Sequence, residues 1–386
     1  MKVLAIIAEY NPMHNGHIYH IQKAKEITKS DFVILVISGS FTMTGNISIL
    51  DKFTKAKIAL QYGVDLVIEL PTIYATSSSQ YFAKGAINLL NSLNIVGYIC
   101  FGVECENIAL LKSVANKINE NEDKIWKDIQ SENKNINFAK SRSNVLAKYL
   151  NINELTEINK PNNILAIEYL KELNKLKSNI QPYCIKRNNK YISSTNIRKY
   201  LSDNNFKEIE NNVPTLIYDK LLNNEFVLNN EIFKLLRYKI NSMSLDELKN
   251  INEVTEGLEN RIKKYAITSK SYEDLLENIK TKRYIENKIK RIFINILLNI
   301  TKDKFNLCIN NNLIYAHILA FNDKGAILLS NMHKLSKMPI LTSINDNILS
   351  KLDSNIQYLI NLDIYSTNVH SVITNKITNT DYTNKL

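Results

Sequence analysis

Over the first two hundred residues, apolar runs of strand length alternate with helical patterns. Lys2–Ala8 predicts a strand, Gly16–Thr28 a helix, Phe32–Ile37 a strand, and Asp51–Tyr62 a helix. Val64–Leu70 is a third strand, stopped by Pro71; Ser79–Leu93 is helical, and Val96–Phe101 is a fourth strand. Strands apolar on both faces and separated by helices predict a parallel sheet with right-handed crossovers, a doubly wound, Rossmann-like α/β domain. The stretch Asn107–Lys160 reads as helical and very polar, an elaboration on the sheet rather than its core. A helix over Asn163–Leu176, a strand over Gln181–Lys186 and a helix from Ser194 close this domain near residue 205.

After Pro214 the texture changes. Glu231 to Ile300 is helical almost throughout, with Ile289, Ile292, Phe293, Ile296 and Ile300 on one stripe. From Asn312 onward strand candidates return at Leu313–Phe321 and Ala326–Ser330, with Asn322-Asp323-Lys324-Gly325 as the turn between them. The expected division is therefore an α/β domain over residues 1–205, a helical domain over 206–305 and a small mixed α/β part over 306–386.

Composition mainly excludes. Nine glycines and six prolines in 386 residues rule out collagen-like and linker-like chains. Cys100, Cys105, Cys184 and Cys308 form no CxxC pair, so neither a disulfide scaffold nor a zinc ribbon is indicated. The expectation is a reduced, cytoplasmic protein. The apolar opening Met1–Ala8 ends at Glu9 and Asn11-Pro12 without a cleavage site, and no stretch reaches the ~20 apolar residues of a membrane span. A net charge of +11 leaves a nucleic-acid partner open.

The first strand runs into Glu9-Tyr10-Asn11-Pro12-Met13-His14-Asn15-Gly16-His17-Ile18-Tyr19-His20. In open α/β sheets ligands bind at the carboxyl ends of the strands, beside the switch point. A helix N-terminus there offers free N–H groups and a positive dipole end to an anion. Gly16 permits close approach of a phosphate, and His14 and His17 can donate to one whose charge grows in a transition state. His14, His17 and His20, spaced by three, do not match a helical zinc face, and no cysteine or carboxylate cluster accompanies them; no protein-held metal is expected. A second motif, Ile192-Ser193-Ser194-Thr195-Asn196-Ile197-Arg198, starts a helix with hydroxyls and places Arg198 one turn along, able to reach the same anion.

Together the two motifs resemble the His-x-Gly-His nucleotidyltransferase superfamily. With Ser38-Gly39-Ser40-Phe41, Asp65–Pro71, Phe101-Gly102, Pro161–Leu165 and Lys280-Thr281-Lys282-Arg283-Tyr284, the set is similar to the bacterial tRNA(Met) cytidine acetate ligase family. That resemblance runs from residue 1 to about 300. It implies a nucleotidyltransferase fold, activation of acetate with ATP to acetyl-adenylate, and transfer of acetyl to N4 of the wobble cytidine of elongator tRNA(Met). It also implies an ATP site made by Ile7, Ala8 and the loop through His20, completed by Gly102, Asn162 and Arg187, with His14, His17, Ser194, Thr195 and Arg198 as the catalytic set. Mg²⁺ is expected to arrive bound to the triphosphate.

One segment departs from the family's pattern. Where Gln-Arg-Gly and a Pro-Ala pair usually follow Ser38–Phe41, this chain has Thr42-Met43-Thr44-Gly45-Asn46-Ile47-Ser48, so a cation is missing, and Lys52 is the nearby candidate to replace it. In the helical part, Lys280, Lys282, Arg283, Lys288, Lys290 and Arg291 crowd into twelve residues with only Glu286 opposing them, which predicts a basic helix that binds RNA phosphates. Two other readings stand beside the ligase: a small-molecule nucleotidyltransferase, which needs only the first 200 residues, and a nucleotide-binding RNA-interaction protein that has lost catalysis.

Overall fold

The computed structural model describes residues 1–105, 107–131, 138–255 and 257–384. One seven-stranded sheet organises them: β1 (Val3–Ala8), β2 (Phe32–Ser38), β3 (Leu66–Leu70), β4 (Tyr98–Val103), β5 (Gln181–Lys186), β6 (Ala316–Phe321) and β7 (Ile340–Leu341). Their spatial order is β5-β4-β1-β2-β3-β6-β7. The first five are mutually parallel, whereas β6 runs antiparallel to β3 and β7 parallel to β6.

The apolar runs become central strands because both of their faces are covered. Val3 and Ala5 pack into one core and Leu4 and Ile6 into the other; Ile34 and Val36 alternate in the same way with Val33, Leu35 and Ile37. This is the doubly wound arrangement read from the sequence. Chain order reverses between β1 and β4, so the crevice at their carboxyl ends is the switch point.

Three expectations change. Residues 306–386 do not stand apart, since β6 and β7 complete the main sheet next to β3. Nor does the α/β core stop near 205: Ile209, Val213, Ile217 and Leu221 join the same apolar cluster as Leu4 and Ile197. Ala326–Ser330 is not a strand but part of a helix over Asp323–Leu335. Asn322 caps that helix by accepting the Gly325 N–H at 3.0 Å, so the supposed turn residues are a helix start.

The polar stretch forms helices over Ile108–Glu120, Glu122–Ser131, Phe138–Leu146 and Ile152–Ile158, with 132–137 outside the described residues. Downstream, helices over Phe233–Ser242, Leu258–Thr268, Tyr272–Ile279 and Glu286–Leu297 bury their apolar faces together, and the predicted stripe from Ile289 to Ile300 is fully buried. Among the described residues no helix is long and apolar enough to cross a membrane.

Candidate active site

A cavity of about 480 Å³ opens at the switch point, within the range of small-molecule sites. Its phosphate-handling corner is built where β1 passes into α1 (Asn15–Thr28). Tyr10 takes a left-handed φ of +47° to make this turn. His14 is the N-cap of α1: its Nδ1 accepts the Gly16 N–H at 3.1 Å, while His17 Nδ1 accepts the His14 N–H at 3.1 Å. Two imidazoles thus perform the reciprocal capping usually left to Ser/Thr and Glu/Gln. Their rings stack with centroids 3.8 Å apart.

This geometry fixes their chemistry. A nitrogen that accepts an N–H carries no proton, so each neutral ring keeps its hydrogen on Nε2 and presents a donor. Burial, with Arg187 close by, lowers His14 to about 4. Burial, followed by the neighbouring His14, His20 and Arg187, holds His17 well below its ordinary value. Both are neutral donors at pH 7, and two neutral rings stack without charge repulsion. A Cβ on Gly16 would lie 2.9 Å from His14 Cε1 and 3.1 Å from Tyr191 Cβ, so the close packing here demands glycine.

The second motif docks on the first. Ser193, not Ser194, caps the helix over Ser194–Ser202, accepting the Asn196 N–H at 3.2 Å. Ser194 Oγ donates to the Pro12 carbonyl at 3.0 Å, and Arg198 donates to the Asn11 carbonyl at 2.5 Å and to Thr195 Oγ at 3.2 Å. Arg198 therefore braces the β1 turn while lining the cavity with Ser194 and Thr195.

Of the remaining expected nucleotide residues, Ile7, Ala8, Glu9, Tyr10, Asn11, Tyr19, His20, Gly102, Asn162 and Arg187 line the cavity. Pro12, Met13, Asn15 and Ile18 do not. Met13 is buried in the core, and Asn15 Nδ2 donates to the Asn211 carbonyl at 2.9 Å. Among the described residues, none lies within 4 Å of the position of a Cβ on Gly102, which lines the cavity. Asn162 is no helix cap: Lys160 holds that place, and Asn162 Nδ2 donates to Glu104 Oε1 at 2.8 Å.

Other contributors had been given no site role. Phe82 and Tyr169, with Phe101 of the Phe101-Gly102 motif, supply apolar walls, and Met43 and Thr44 of the departing loop form another edge. Lys55 is buried and donates to the carbonyls of Ser38 (2.7 Å), Gly39 (3.0 Å) and Glu9 (3.2 Å), pinning the ends of β1 and β2. Burial lowers its ammonium to about 8. Its spacing from Lys52, Ile58 and Ala59 along the buried face of the second helix, α2 (Lys52–Gln61), was the available signal.

Lys52 does not supply the missing cation. It is 1 % exposed and pairs with Glu69 Oε2 at 2.7 Å and Asp381 Oδ1 at 2.6 Å, away from the cavity lining. His317 Nδ1 joins the cluster 2.8 Å from Glu69 Oε2. Burial opposes charge on Glu69, yet Lys52 and His317 hold its carboxyl below the usual range.

The expected basic helix is also rearranged. Only Lys288, Lys290 and Arg291 lie on the Glu286–Leu297 helix; Lys280, Lys282 and Arg283 precede it. Carboxylates beyond Glu286 oppose the set. Lys280 pairs with Glu277 at 2.9 Å, Lys290 with Glu286 at 2.6 Å, and Arg291 chelates Glu253 at 2.7 and 2.8 Å. Lys282 and Arg283 are exposed, and Arg283 and Lys288 lie over the Tyr284 ring.

Comparison with known proteins shows the family. The family model described as HIGH nucleotidyl transferase matches residues 1–385. A tRNA(Met) cytidine acetate ligase of Clostridium perfringens is 39% identical over 99% of this chain and 98% of its own, and one of Clostridium novyi is 38% identical over 98% and 96%. Thermotoga maritima TmcAL, crystallised with alpha-thio ATP, superposes with a TM-score of 0.92 at 32% identity, covering 98% of this chain and 96% of that one. The mixed α/β sheet, the stacked histidine donors at its switch point and these full-length matches together make the chain a member of the tRNA(Met) cytidine acetate ligase family of HIGH nucleotidyl transferases.

Proposed function

We propose that this protein activates acetate with ATP and acetylates N4 of the wobble cytidine of elongator tRNA(Met). An acetate oxygen attacks the α-phosphorus, the bond to the bridging oxygen breaks, and pyrophosphate leaves with the electron pair. The cytidine N4 then attacks the acyl carbon, AMP departs as its phosphate, and N4 releases a proton to the medium. The observation that carries the reading is the pair of neutral Nε2–H donors on His14 and His17 beside the α1 N-terminus. Donors fixed before the reaction meet growing phosphate charge without reorganising, and phosphoryl chemistry needs little more than positioning and charge stabilisation.

Arg187, Ser194, Thr195 and Arg198 line the same cavity and are placed to hold the phosphates. Gly102 and Asn162 receive the nucleoside. Glu9 is the one carboxylate among the described lining residues, and its Oε1 already accepts the Met43 N–H at 2.6 Å. That donor set suits Mg²⁺ carried on phosphate oxygens, with Glu9 as its protein contact, rather than a protein cage. Bound there, the ion would neutralise triphosphate charge. The relatives match through the helical region, which a small-molecule nucleotidyltransferase would not need. Lys282, Arg283 and Lys288 are assigned to RNA phosphates, and the reaction to the cytosol, where ATP and tRNA reside.

The test is incubation with ATP, acetate and total bacterial tRNA, followed by nucleoside mass spectrometry. Acetylcytidine confined to elongator tRNA(Met) is the expected product. Adenylate formation without acetylated RNA would instead return the small-molecule reading.

A further inference from the structure

The loop from Thr42 to Ser48 is held by segments that come some 180 to 320 residues later in the chain. Asn229 Nδ2 donates to Asn46 Oδ1 at 2.7 Å, and Asn229 Oδ1 accepts the Ile47 N–H at 3.0 Å. His370 Nε2 lies 2.7 Å from the Ser48 carbonyl. Gly45, at φ +76°, sits so close to the Glu286–Leu297 helix that a Cβ there would stand 2.4 Å from backbone atoms of Lys290 and Arg291. On its inner edge the same loop presents Met43 and Thr44 to the cavity and ties Met43 N–H to Glu9. One short segment therefore touches the reaction cavity on one side and the cation-bearing helix on the other.

Sheet order gives this edge a direction. β2 lies on the opposite side of β1 from β4 and β5, so the Met43–Gly45 lip faces the Gly102, Arg187 and Ser194 side across the cavity. The nucleotide occupies that far side in the reading above. On the near side the lining is Met43 and Thr44, both half-buried.

We propose that the acceptor base enters across the Met43–Gly45 lip, from the side of the Glu286–Leu297 helix, and that Asn229 is the positioning residue that holds this entrance. The inference rests on the tRNA-acetylating reading. An enzyme that works on a base must take it out of its stack, and loop nucleotides are read in that splayed form. Lys288 precedes Arg291 by three residues, about 4.5 Å along a helix axis. A phosphate resting on Lys288 thus leaves its flanking base within reach of this loop, whose Gly45 packs on that helix while Met43 and Thr44 line the cavity.

The experiment uses the full chain with tRNA carrying a photo-crosslinkable pyrimidine at the acetylated position, and maps the adduct by peptide mass spectrometry. An adduct on residues 42–46 is expected; one on Asn188–Tyr191 or Pro161–Leu165 overturns the entrance. In parallel, Asn229→Ala should raise the KM for tRNA or lower acetyl transfer by about 10- to 100-fold, as misplacement of a positioned group does. Its acetate-dependent ATP–pyrophosphate exchange should stay within about twofold of wild type, which also reports that the variant is folded. Equal loss of both activities would mean that Asn229 merely supports the ATP site and overturns its role. If the wild-type chain acetylates no tRNA at all, the functional reading itself fails and the entrance falls with it, a result distinct from a misplaced adduct.

Discussion

His17 Nδ1 accepts the backbone N–H of His14 at 3.1 Å and its ring stacks on that of His14 at 3.8 Å, so the second histidine of the motif braces the first. Each ring is locked in one tautomer by a main-chain donor, and the pair acts as a unit. His17→Ala is expected to lower acetyl-adenylate formation by ~10²–10³-fold, the loss typical of removing one oxyanion donor. Because the ring stacked on His14 disappears together with the bond to the His14 N–H, the His14 imidazole should lose its fixed position, and the double variant should be little worse than the single one. Pyrophosphate exchange measures both; near-multiplicative losses would show that the two act independently.

Acid should destabilise this protein in a defined window. Burial lowers His14, His20 and His370 to about 4 in the folded state, against 6.5 for an ordinary imidazole. Between those values the unfolded chain binds the extra protons, so stability is full above 6.5 and falls as pH drops toward 4. Each group contributes about 1.4 kcal/mol per pH unit there. Asp363 acts in the opposite sense, since burial and Glu69 raise it to about 7. Comparing His20→Gln with wild type isolates one histidine, because His20 Nε2 has no partner to lose. Urea midpoints between pH 7 and 5 should fall less steeply in the variant; parallel curves would refute the assignment.

Lys52→Met should cost stability without touching nucleotide affinity. Removing one member of a buried ion cluster strands Glu69 and Asp381 and typically costs about 3–5 kcal/mol. Thermal unfolding and ATP titration on the same sample decide the matter. Weakened ATP binding with an unchanged Tm would make Lys52 the site cation that the sequence suggested.

Gly102→Val tests the nucleotide floor. No atom lies within 4 Å of its Cβ position, so the side chain projects into open cavity. Stability should change by no more than about 0.5 kcal/mol, while ATP affinity falls at least roughly tenfold through lost volume. Retained affinity would move the nucleoside elsewhere in the cavity.

For RNA, Lys282→Ala with Arg283→Ala should flatten the salt dependence of tRNA binding by about 1.4 in log–log slope, near 0.7 per phosphate on single strands. Lys280→Ala with Lys290→Ala should change it less, because Glu277 and Glu286 already neutralise those ammonium groups. A filter-binding salt series distinguishes the pairs; a larger effect from the second would reverse the assignment.

The strands and the switch-point site were legible because they are local: a buried strand is an apolar run, and His14-Asn15-Gly16-His17 is contiguous. What escaped depends on distant chain. β6 pairs with β3 from some 250 residues away, and nothing in Ala316–Phe321 names its neighbour. Asn322-Asp323-Lys324-Gly325 misled because asparagine serves turns and helix caps by the same side-chain hydrogen bond. Lys52 and Lys55 look alike in sequence, yet one neutralises core carboxylates and the other ties the strand ends beneath the site. The cations of Lys280–Arg291 read as opposed by Glu286 alone because Glu253 comes from a distant turn and Glu277 from the preceding helix.

The charge cluster at Lys52 bears on how the protein is made and whether it can be divided. Glu69 and Lys52 leave the ribosome early, His317 and Asp381 late, and the edge of the sheet waits for β6 as well. Contacts across such sequence distances fold slowly and expose unpaired strand edges in the interval. A fragment ending near residue 205 would keep every phosphate-handling motif but lack the groups that cover β3 and satisfy Lys52. The nucleotidyltransferase half is thus no transplantable cassette: chain from Ala316 onward finishes the fold of the part that carries the cavity.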